Sequence, residues 1–300
     1  MQIFEVDKNI PLFEYLQESL PGIKRNTLKN YLRFQSVFVN GKPVSKFDHP
    51  LVPGDKITLE RDKQKAQTER LKSNLKIMYE DQAIIVIDKP AGLLTIATDK
   101  IKTRTAFYEV SEYLDAKKAA KPGIQRRRPS SFEKQLFIVH RLDRDASGLL
   151  IFAKNADAKY FLQDNWHEFQ KKYYAVVEGT PAETEGEISS YLKENKILRV
   201  FSSPEETEGS KFAITQYRVL KSAHRKTLME VTLQTGRKHQ IRVHMAQLGH
   251  PILGDKDYGN KGLSKRLALH SFSLSVTHPV TRKAMHFHTA LPKELESLIN

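Results

Sequence analysis

Residues 140–155 read HRLDRDASGLLIFAKN, a charged turn followed at once by an apolar run. The run 149–153 is compact enough to predict a buried strand. Ser147-Gly148 before it predicts a sharp turn or a close approach of the backbone. The stretch is therefore expected to place Asp143 at the mouth of an interior strand.

Asp143 has Arg141 and Arg144 as close neighbours in the chain. Nearby positive charge favours the ionised form of a carboxyl group, so we expect Asp143 to be charged at neutral pH. A charged carboxylate enclosed by the protein can serve as a nucleophile or as a base. A lone Asp in a loop is more often a surface residue that caps backbone amides, so the rest of the chain has to decide between these interpretations.

The composition is that of a globular, cysteine-free chain. Its 300 residues suffice for about two domains, and 39% of them are hydrophobic. No apolar run approaches the roughly 20 residues of a membrane span, and residues 1–16 mix acidic with apolar side chains, so we expect a soluble, unprocessed, cytoplasmic protein. The lack of Cys excludes disulfides and Cys-based metal sites. His239 and His244 are five positions apart, not the four that align two ligands on one helix face.

The net charge is the strongest global indication of function. It amounts to +14, and the sequence pI is near 9.6. Such a chain is expected to bind a polyanion, and nucleic acid is the commonest one. Basicity that serves solubility alone is the alternative.

Residues 1–62 have the pattern of a small separate domain. Apolar residues recur at helical spacing over 12–20, and residues 27–34 predict a second short helix. Asn40-Gly41 between two short apolar runs predicts a hairpin. Basic residues on and beside the second helix could contact RNA phosphates, with a solvated helix face as the alternative. They are Lys24, Arg25, Lys29 and Arg33.

Three segments of this region, residues 25–34, 37–42 and 54–57, resemble the S4 RNA-binding module of ribosomal and RNA-modifying proteins. The resemblance implies an accessory grip on structured RNA. The charged segment 63–74 lacks a periodic apolar face and is predicted to be a linker. It leads to a second domain, residues 75–300.

Hydrophobic patterning predicts that the second domain interleaves strands and helices. Residues 83–88 are apolar on both faces, which indicates an interior strand. Residues 115–135 hold a Pro-Gly turn and three consecutive arginines, 126–128, and are predicted to form a mobile loop. The other predicted elements are helices over 105–114 and 156–169, a helix that ends at Gly249, and strands over 171–179, 211–220 and 227–233.

The predicted helix that ends at Gly249 carries many cations within barely two turns. Like-charge repulsion makes such crowding costly, so something anionic is expected to offset it. The cations are Arg237, Lys238, His239, Arg242 and His244.

An ionised Asp, a Tyr on a strand and a cationic helix suit chemistry on a base that has been flipped out of an RNA stack. Tyr173 could supply the aromatic ring against which such a base packs, although a Tyr at this spacing is more often a core residue. Arg242, if it pairs with Asp143, would hold that carboxylate charged and oriented. Truncating one member of a buried ion pair leaves the other unpaired and is strongly destabilising.

Three motifs in this order, within residues 140–148, 171–179 and 236–255, resemble the RluA-type pseudouridine synthases. Residues 89–93 and Leu269-His270 fit the same family. The resemblance extends from residue 75 to about residue 292. It implies an α/β (α+β) catalytic domain with a mixed, largely antiparallel sheet, preceded here by the S4-like domain.

The resemblance also implies roles. Asp143 would be the nucleophile or base that drives the detachment of uracil from C1′ and its reattachment through C5. Tyr173 would stack on the base and could assist deprotonation, and Arg242 would pair with the aspartate. Family members work without a cofactor or a metal. Further contacts with substrate or RNA are expected at His140, which we interpret as a brace for its loop, and at Arg141, Arg144, Lys171, Arg237, Lys238 and His239.

Ribosomal RNA is the expected target, transfer RNA is the alternative, and a monomer is the default state. A protein that binds RNA without modifying it is a competing hypothesis, but it would be expected to lack Asp143 or Arg242. Hydrolysis by Asp143 with Asp145 is a third hypothesis, which Arg144 between them disfavours. Ala146 stands where the family generally has Thr, a change expected to alter the shape of the loop rather than the chemistry.

Overall fold

The computed structural model describes residues 2–23, 25–33, 36–59, 75–98, 101, 103–119, 136–195, 198–260 and 264–300. The predicted linker 63–74 and Arg126 to Arg128 lie outside these ranges. The chain divides into two compact units, Met1–Asn74 and Leu75–Asn300, each with a hydrophobic core of its own. Within the described ranges, no helix has the length and apolar content that crossing a membrane would require.

The first unit contains both predicted helices and the predicted hairpin. Its elements are β1 Gln2–Glu5, β2 Ile10–Pro11, α1 Leu12–Ser19, α2 Arg25–Arg33, β3 Val37–Val39, β4 Lys42–Pro43, β5 Pro50–Leu51 and β6 Lys56–Leu59. The hairpin turn has Asn40 and Gly41 at φ of 49° and 77°, both positive as a type I′ turn requires. Strand β1 was not predicted, and it pairs with β6 in a sheet of order β1-β6-β3-β4.

Leucines four residues apart explain why the two helices of the first unit pack inward. Leu12 and Leu16 of α1 and Leu28 and Leu32 of α2 are all buried in its core. The side chains of Arg25 and Lys29 on α2 are exposed.

The second unit is built on one large sheet with helices beside it. Its elements are β7 Lys76–Glu80, β8 Ile84–Lys89, α3 Ala106–Ala119, β9 Phe137–Ile138, β10 Ser147–Ala153, α4 Ala156–Asp164, β11 Gln170–Glu178, β12 Glu185–Glu194, β13 Val200–Ser203, β14 Lys211–Ala223, β15 Lys226–Leu233, α5 Gln240–Gln247, β16 Leu269–Thr277, β17 Ala284–His288 and α6 Lys293–Glu296.

The sheet of the second unit has 11 strands in the order β13-β12-β14-β15-β11-β16-β10-β8-β7, with β17 beside β16 and β9 beside β10. Among the described strands, β10 and β16 form the one parallel pair, and the other pairs are antiparallel. The predicted α+β class with a mixed, largely antiparallel sheet is therefore confirmed. The predicted strands over 171–179, 211–220 and 227–233 are present as β11, β14 and β15.

Strand β10 lies inside this sheet and is buried at every residue. Gly148 near its start has φ of 112°, and a Cβ atom there would lie 2.1 Å from the carbonyl oxygen of Ser271. Only glycine permits this approach to β16. The predicted buried strand and close backbone approach are confirmed, and the loop that carries Asp143 leads directly into the strand.

Two helix boundaries differ from the prediction. Helix α4 ends at Asp164 rather than at residue 169, because the side-chain amide of Asn165 closes it with a 2.7 Å hydrogen bond from Nδ2 to the Phe161 carbonyl oxygen. Helix α3 continues to Ala119, so residues 115–119 are not loop. Lys117 on this last turn forms an ion pair of 2.7 Å with Glu80, and the first Pro comes only at position 122. The rest of the predicted loop lies outside the described residues.

Candidate active site

The loop that carries Asp143 is fixed from behind by a buried lysine. Lys89, at the end of β8, has no exposed surface. Its ammonium donates to the carbonyl oxygens of Pro90 at 3.0 Å, Leu93 at 2.9 Å, Arg144 at 3.2 Å and Ala146 at 2.6 Å. Burial lowers the pKa of Lys89 to about 8, although Asp143 and Asp145 act to raise it. This carbonyl cage ties the turn after β8 to both sides of Asp145.

A threonine holds the loop on the other side of Asp143. The Thr95 hydroxyl donates to the Leu142 carbonyl oxygen at 2.8 Å and accepts the Leu142 amide at 3.1 Å. The residues that flank Asp143 are therefore fixed through their backbone atoms, which leaves the carboxylate side chain available to the cleft.

Arg242, in the first turn of α5, has its principal partner in Asp255. Its Nε and Nη2 donate to the two carboxylate oxygens at 2.8 and 2.7 Å, a bidentate pair between side chains that are 9% and 0% exposed. Asp255 also accepts the backbone amides of Asp257 and Tyr258. The Asp257 carboxylate is a second partner of Nη2, at 2.6 Å. Asp255 thus fixes the plane of the guanidinium.

The remaining nitrogen of Arg242, Nη1, lies 3.3 Å from the Asp143 carboxylate, so the contact expected from the sequence is present. The Asp143 side chain is 30% exposed. Arg144 pairs with Asp145 instead, at 3.1 Å. The arginine that forms an ion pair with Asp143 is therefore Arg242, whereas Arg144 pairs with the adjacent carboxylate.

Charge and burial act against each other in this network. Burial would lower the pKa of Arg242, but the hydrogen bonds that it donates to Asp255, with the charges of Asp255 and Asp143, raise it well above its ordinary value. Burial would likewise raise the pKa of Asp255, and the Arg242 contacts hold it below its ordinary value. Both groups stay charged, so Asp143 faces a permanent cation.

His239 approaches Asp143 from the turn before α5. Its Nε2 lies 3.9 Å from the Asp143 carboxylate, and its Nδ1 lies 3.0 Å from the Tyr258 hydroxyl. That hydroxyl oxygen accepts the Val200 amide at 2.9 Å, so its own proton can be donated to Nδ1 and the Nε2 proton then faces Asp143. Burial lowers the pKa of His239 although Asp143 acts to raise it, which favours the neutral imidazole.

Asp143 lies where two cavities adjoin. The first cavity, of about 520 Å³, is lined by Tyr173, Lys171, Trp166, Leu233, Ile241 and Leu269 as well as by Asp143. The second cavity, of about 460 Å³, is lined by Thr95, Thr98, Arg144, Asp145, Lys256 and Asp257. Both have the size of ligand pockets. The first combines apolar and aromatic side chains with charged ones, whereas most residues that line the second are polar or charged. Arg141, Asp143, Lys238, His239 and Arg242 border both.

Tyr173 is nearly buried and belongs both to the core and to the wall of the first cavity. Burial raises the pKa of Tyr173 to about 12; the interaction with Ser271 acts to lower it, and the charge of Asp143 adds to the increase. The side chain therefore offers a neutral phenol and an aromatic ring to whatever occupies the cavity.

His140 braces its loop, as expected. Its ring stacks on Trp166 with centroids 4.3 Å apart, and its Nε2 accepts the Ile151 amide at 3.2 Å. Burial, with the charge of Lys171, lowers the pKa of His140 to about 3, so the ring is neutral.

The cations expected on one helix are distributed differently. Arg237, Lys238 and His239 precede α5, because the helix begins only at Gln240. Arg237 Nε donates to the Phe212 carbonyl oxygen, and Lys238 forms an ion pair of 2.6 Å with Glu194. His244 is buried between the hydroxyls of Ser190 and Thr215, and burial lowers its pKa to about 4. The prediction of a helix crowded with cations was therefore wrong. Three of the five residues precede the helix, and His244 is a neutral core residue.

In the first unit, Arg25 lies 5.5 Å from the centre of the Phe13 ring, and the Lys29 side chain is exposed. Lys24 and the side chain of Arg33 lie outside the described residues.

Sequence reasoning assigned no role to Lys89, Asp255 or Tyr258, which position the groups around Asp143. The signals were present, since a Lys at the end of an apolar strand and an Asp after Gly254 are polar residues in otherwise buried segments. Their partners lie far along the chain, however, and spacing alone does not reveal them.

Fold and site together define an enzyme in which a fixed carboxylate works beside an aromatic ring and a permanent cation. The model of the RNA pseudouridylate synthase family matches residues 83–247. The chain is 32% identical to the ribosomal large subunit pseudouridine synthase C of Buchnera aphidicola, over 95% of this chain and 91% of that protein. It is 29% identical to the ribosomal large subunit pseudouridine synthase D of Yersinia pestis, over 96% and 90%.

A solved structure has the same fold. Human RNA pseudouridylate synthase domain containing 4 superposes with a TM-score of 0.59 at 22% identity, over 80% of this chain and 96% of that one. The chain belongs to the RNA pseudouridylate synthase family. It is an RNA pseudouridine synthase, an isomerase that converts uridine in RNA to pseudouridine.

Proposed function

We propose that this enzyme isomerises uridine in large-subunit ribosomal RNA and that Asp143 is its catalytic carboxylate. The observation that supports this most strongly is the position of Asp143, at the junction of two cavities and 3.3 Å from Arg242. The RNA target follows from the relatives, two of which carry the name of a ribosomal large subunit enzyme. Transfer RNA is the alternative target.

The two cavities suggest where the two parts of a flipped-out nucleotide bind. The first cavity suits the uracil base, because its wall offers the Tyr173 ring and apolar side chains that exclude water. The second cavity suits the ribose-phosphate chain, because Arg141, Arg144 and Lys256 border it. Asp143 would then meet the sugar between them.

The reaction requires four changes in bonding. The bond between C1′ and N1 breaks, a bond between C1′ and C5 forms, the C5 proton is lost, and N1 gains a proton. Asp143 would start the sequence as a nucleophile or as a base on the ribose, with Arg242 holding it in position. Tyr173 would keep the detached uracil stacked while it turns, and its neutral phenol could relay the C5 proton.

The other residues predicted to bind RNA are part of the proposal. Arg141, Arg144, Lys171, Arg237, Lys238 and His239 border the two cavities and would contact substrate, with His140 bracing the loop. The first unit, with its resemblance to the S4 module, would grip structured RNA through Arg25 and Lys29, and through Lys24 and Arg33. The enzyme would act in the cytoplasm as a monomer without a cofactor.

The proposal is tested in vitro with purified enzyme, large-subunit ribosomal RNA transcript and a transfer RNA pool, in buffer containing EDTA. Pseudouridine is mapped after incubation with wild type, Asp143→Asn or Asp145→Asn. We expect product in ribosomal RNA with wild type and with Asp145→Asn, because Asp145 pairs with Arg144 outside the network of Arg242. We expect none with Asp143→Asn. Product in transfer RNA alone, or full activity of Asp143→Asn, would contradict the proposal.

A further inference from the structure

Lys171 is a buried cation in the wall of the first cavity. It lies on β11 two residues before Tyr173, so both side chains project from the same face of the strand. The side chain belongs to a residue only 5% exposed, and it shares the cavity with Asp143. A charge in this position has lost most of its hydration.

The protein compensates this charge only in part. Within the described residues, the Lys171 ammonium makes one hydrogen bond, to the Trp166 carbonyl oxygen at 2.9 Å, and lies 5.6 Å from the centre of the Trp166 ring. None of the described carboxylates forms an ion pair with it. An ammonium group has three N–H donors, so two remain for a ligand. Burial of a charge without such compensation is costly, and a ligand that brings negative charge would offset the cost.

The reaction itself generates a negative charge in this cavity. When the C1′–N1 bond breaks, its electron pair leaves with uracil, and the charge spreads from N1 over the carbonyl oxygens O2 and O4. This holds whether Asp143 attacks the ribose or removes a proton from it. A fixed donor in a water-poor site stabilises such a developing charge far more than a donor in water would.

We propose that Lys171 is a further catalytic residue, which donates a hydrogen bond to a carbonyl oxygen of the departing uracil and stabilises its negative charge. No net proton transfer to or from Lys171 is involved. The uracil anion becomes neutral when C5 bonds to C1′, and the proton then lost from C5 is balanced by the proton gained at N1. The inference rests on the proposed function, since it needs a uridine in the first cavity.

The groups around Lys171 give the role a pH dependence. His140 faces it from the loop before β10 and is neutral, Tyr173 beside it is a neutral phenol, and Asp143 lies in the same cavity. Burial lowers the pKa of Lys171 to about 8. The ammonium form, and with it the stabilisation, is therefore lost as the pH rises through about 8.

The test compares Lys171→Met, which keeps the stem without the charge, with Lys171→Arg, which keeps the charge. Single-turnover cleavage of the glycosidic bond is measured on large-subunit ribosomal RNA containing uridine or 5-fluorouridine. Fluorine makes the departing uracil a weaker base, so that RNA should depend less on Lys171. We expect Lys171→Met to lower the rate about 100-fold on uridine RNA, with a deficit at least several-fold smaller on fluorinated RNA and with unchanged RNA binding.

Equal deficits of Lys171→Met on both RNAs would overturn the proposal in favour of a structural role. Weakened RNA binding with a full rate at saturation would overturn it in favour of a phosphate contact. The pH profile provides a test that does not depend on the folding of Lys171→Met. The wild-type rate should fall above about pH 8, and Lys171→Arg should make that fall smaller; what remains belongs to Lys89, which titrates in the same range in both proteins. Superimposable pH profiles of the two proteins would contradict the proposal. An inactive wild type would instead refute the ribosomal RNA target.

Discussion

Lys89 and Lys171 are both buried lysines of the second unit, and burial lowers the pKa of each to about 8. They differ in what surrounds the ammonium. Lys89 has four carbonyl oxygens around it and lines neither of the two cavities, whereas Lys171 has one carbonyl oxygen and borders the first cavity. Burial of a charge does not by itself mark a functional residue. The number of donors left without a protein partner separates the two.

The two sides of Asp143 differ in the same way as the two lysines, in how far the protein itself occupies their polar groups. Behind Asp143, the cage of Lys89 and the Asp255–Arg242 pair leave little freedom to the backbone or to the guanidinium. On the side of the first cavity, Lys171 has two N–H donors and Tyr173 has an aromatic ring that are available to a ligand. A fixed backbone holds the carboxylate in position, and a cavity with available donors leaves room for a base to detach and turn.

The largest effect on stability is expected when the Lys89 ammonium is removed from its four carbonyl acceptors. Lys89→Met should lower the free energy of unfolding by about 4 kcal/mol, because each buried carbonyl left without a donor costs about 1–3 kcal/mol. Lys171→Met loses a single such contact but also removes a poorly compensated buried charge, so it should change the free energy of unfolding by no more than about 1 kcal/mol. Urea unfolding of the two variants measures both. Equal losses would contradict the division between the two lysines.

The next effect concerns the pair that fixes Arg242. Asp255→Asn should cost about 3 kcal/mol of stability, because it leaves a buried guanidinium without its bidentate partner. It should also lower the isomerisation rate, since the guanidinium loses its orientation toward Asp143. Asp257→Asn is the matched control, at a side chain 52% exposed, and it should change stability by no more than about 0.5 kcal/mol. Similar effects of both would show that Asp255 does not anchor the site.

The smallest effect on stability is expected for cations that are exposed rather than buried. Arg25 and Lys29 of the first unit are exposed cations, and replacing either by Ala should change stability by no more than about 0.5 kcal/mol. If the first unit grips RNA, each change should weaken RNA binding several-fold and reduce the slope of log affinity against log salt by about 1. Binding measured at a series of salt concentrations decides this, and an unchanged slope would exclude these two side chains as phosphate contacts.

The sequence allowed the central strand and the position of Asp143 to be predicted, because both depend on local patterning. The apolar run 149–153 and Gly148 suffice for β10. The contact of Arg242 with Asp143, 99 residues apart in the chain, was implied by the resemblance to the RluA-type synthases. The cage of Lys89 could not be predicted in this way, since two of its acceptors, Arg144 and Ala146, lie 55 and 57 residues further along the chain.

The errors have a related cause. The spacing of Leu162, Trp166 and Phe169 fits a helix, but Trp166 stacks on His140 and Phe169 leads into β11, so tertiary contacts override the pattern. His244 reads as a cation by composition, yet two hydroxyls from β12 and β14 make it a core residue. Local patterns predict elements well, whereas the state of a polar side chain depends on partners that only the fold brings near.

The central claim is that Asp143 converts uridine to pseudouridine in ribosomal RNA. Pseudouridine mapping of total RNA tests it most directly, in cells that lack the gene and in the same cells complemented with wild type or with Asp143→Asn. We predict that at least one pseudouridine in large-subunit ribosomal RNA disappears on deletion and returns with wild type alone. Its return with Asp143→Asn, or a loss confined to transfer RNA, would contradict the account.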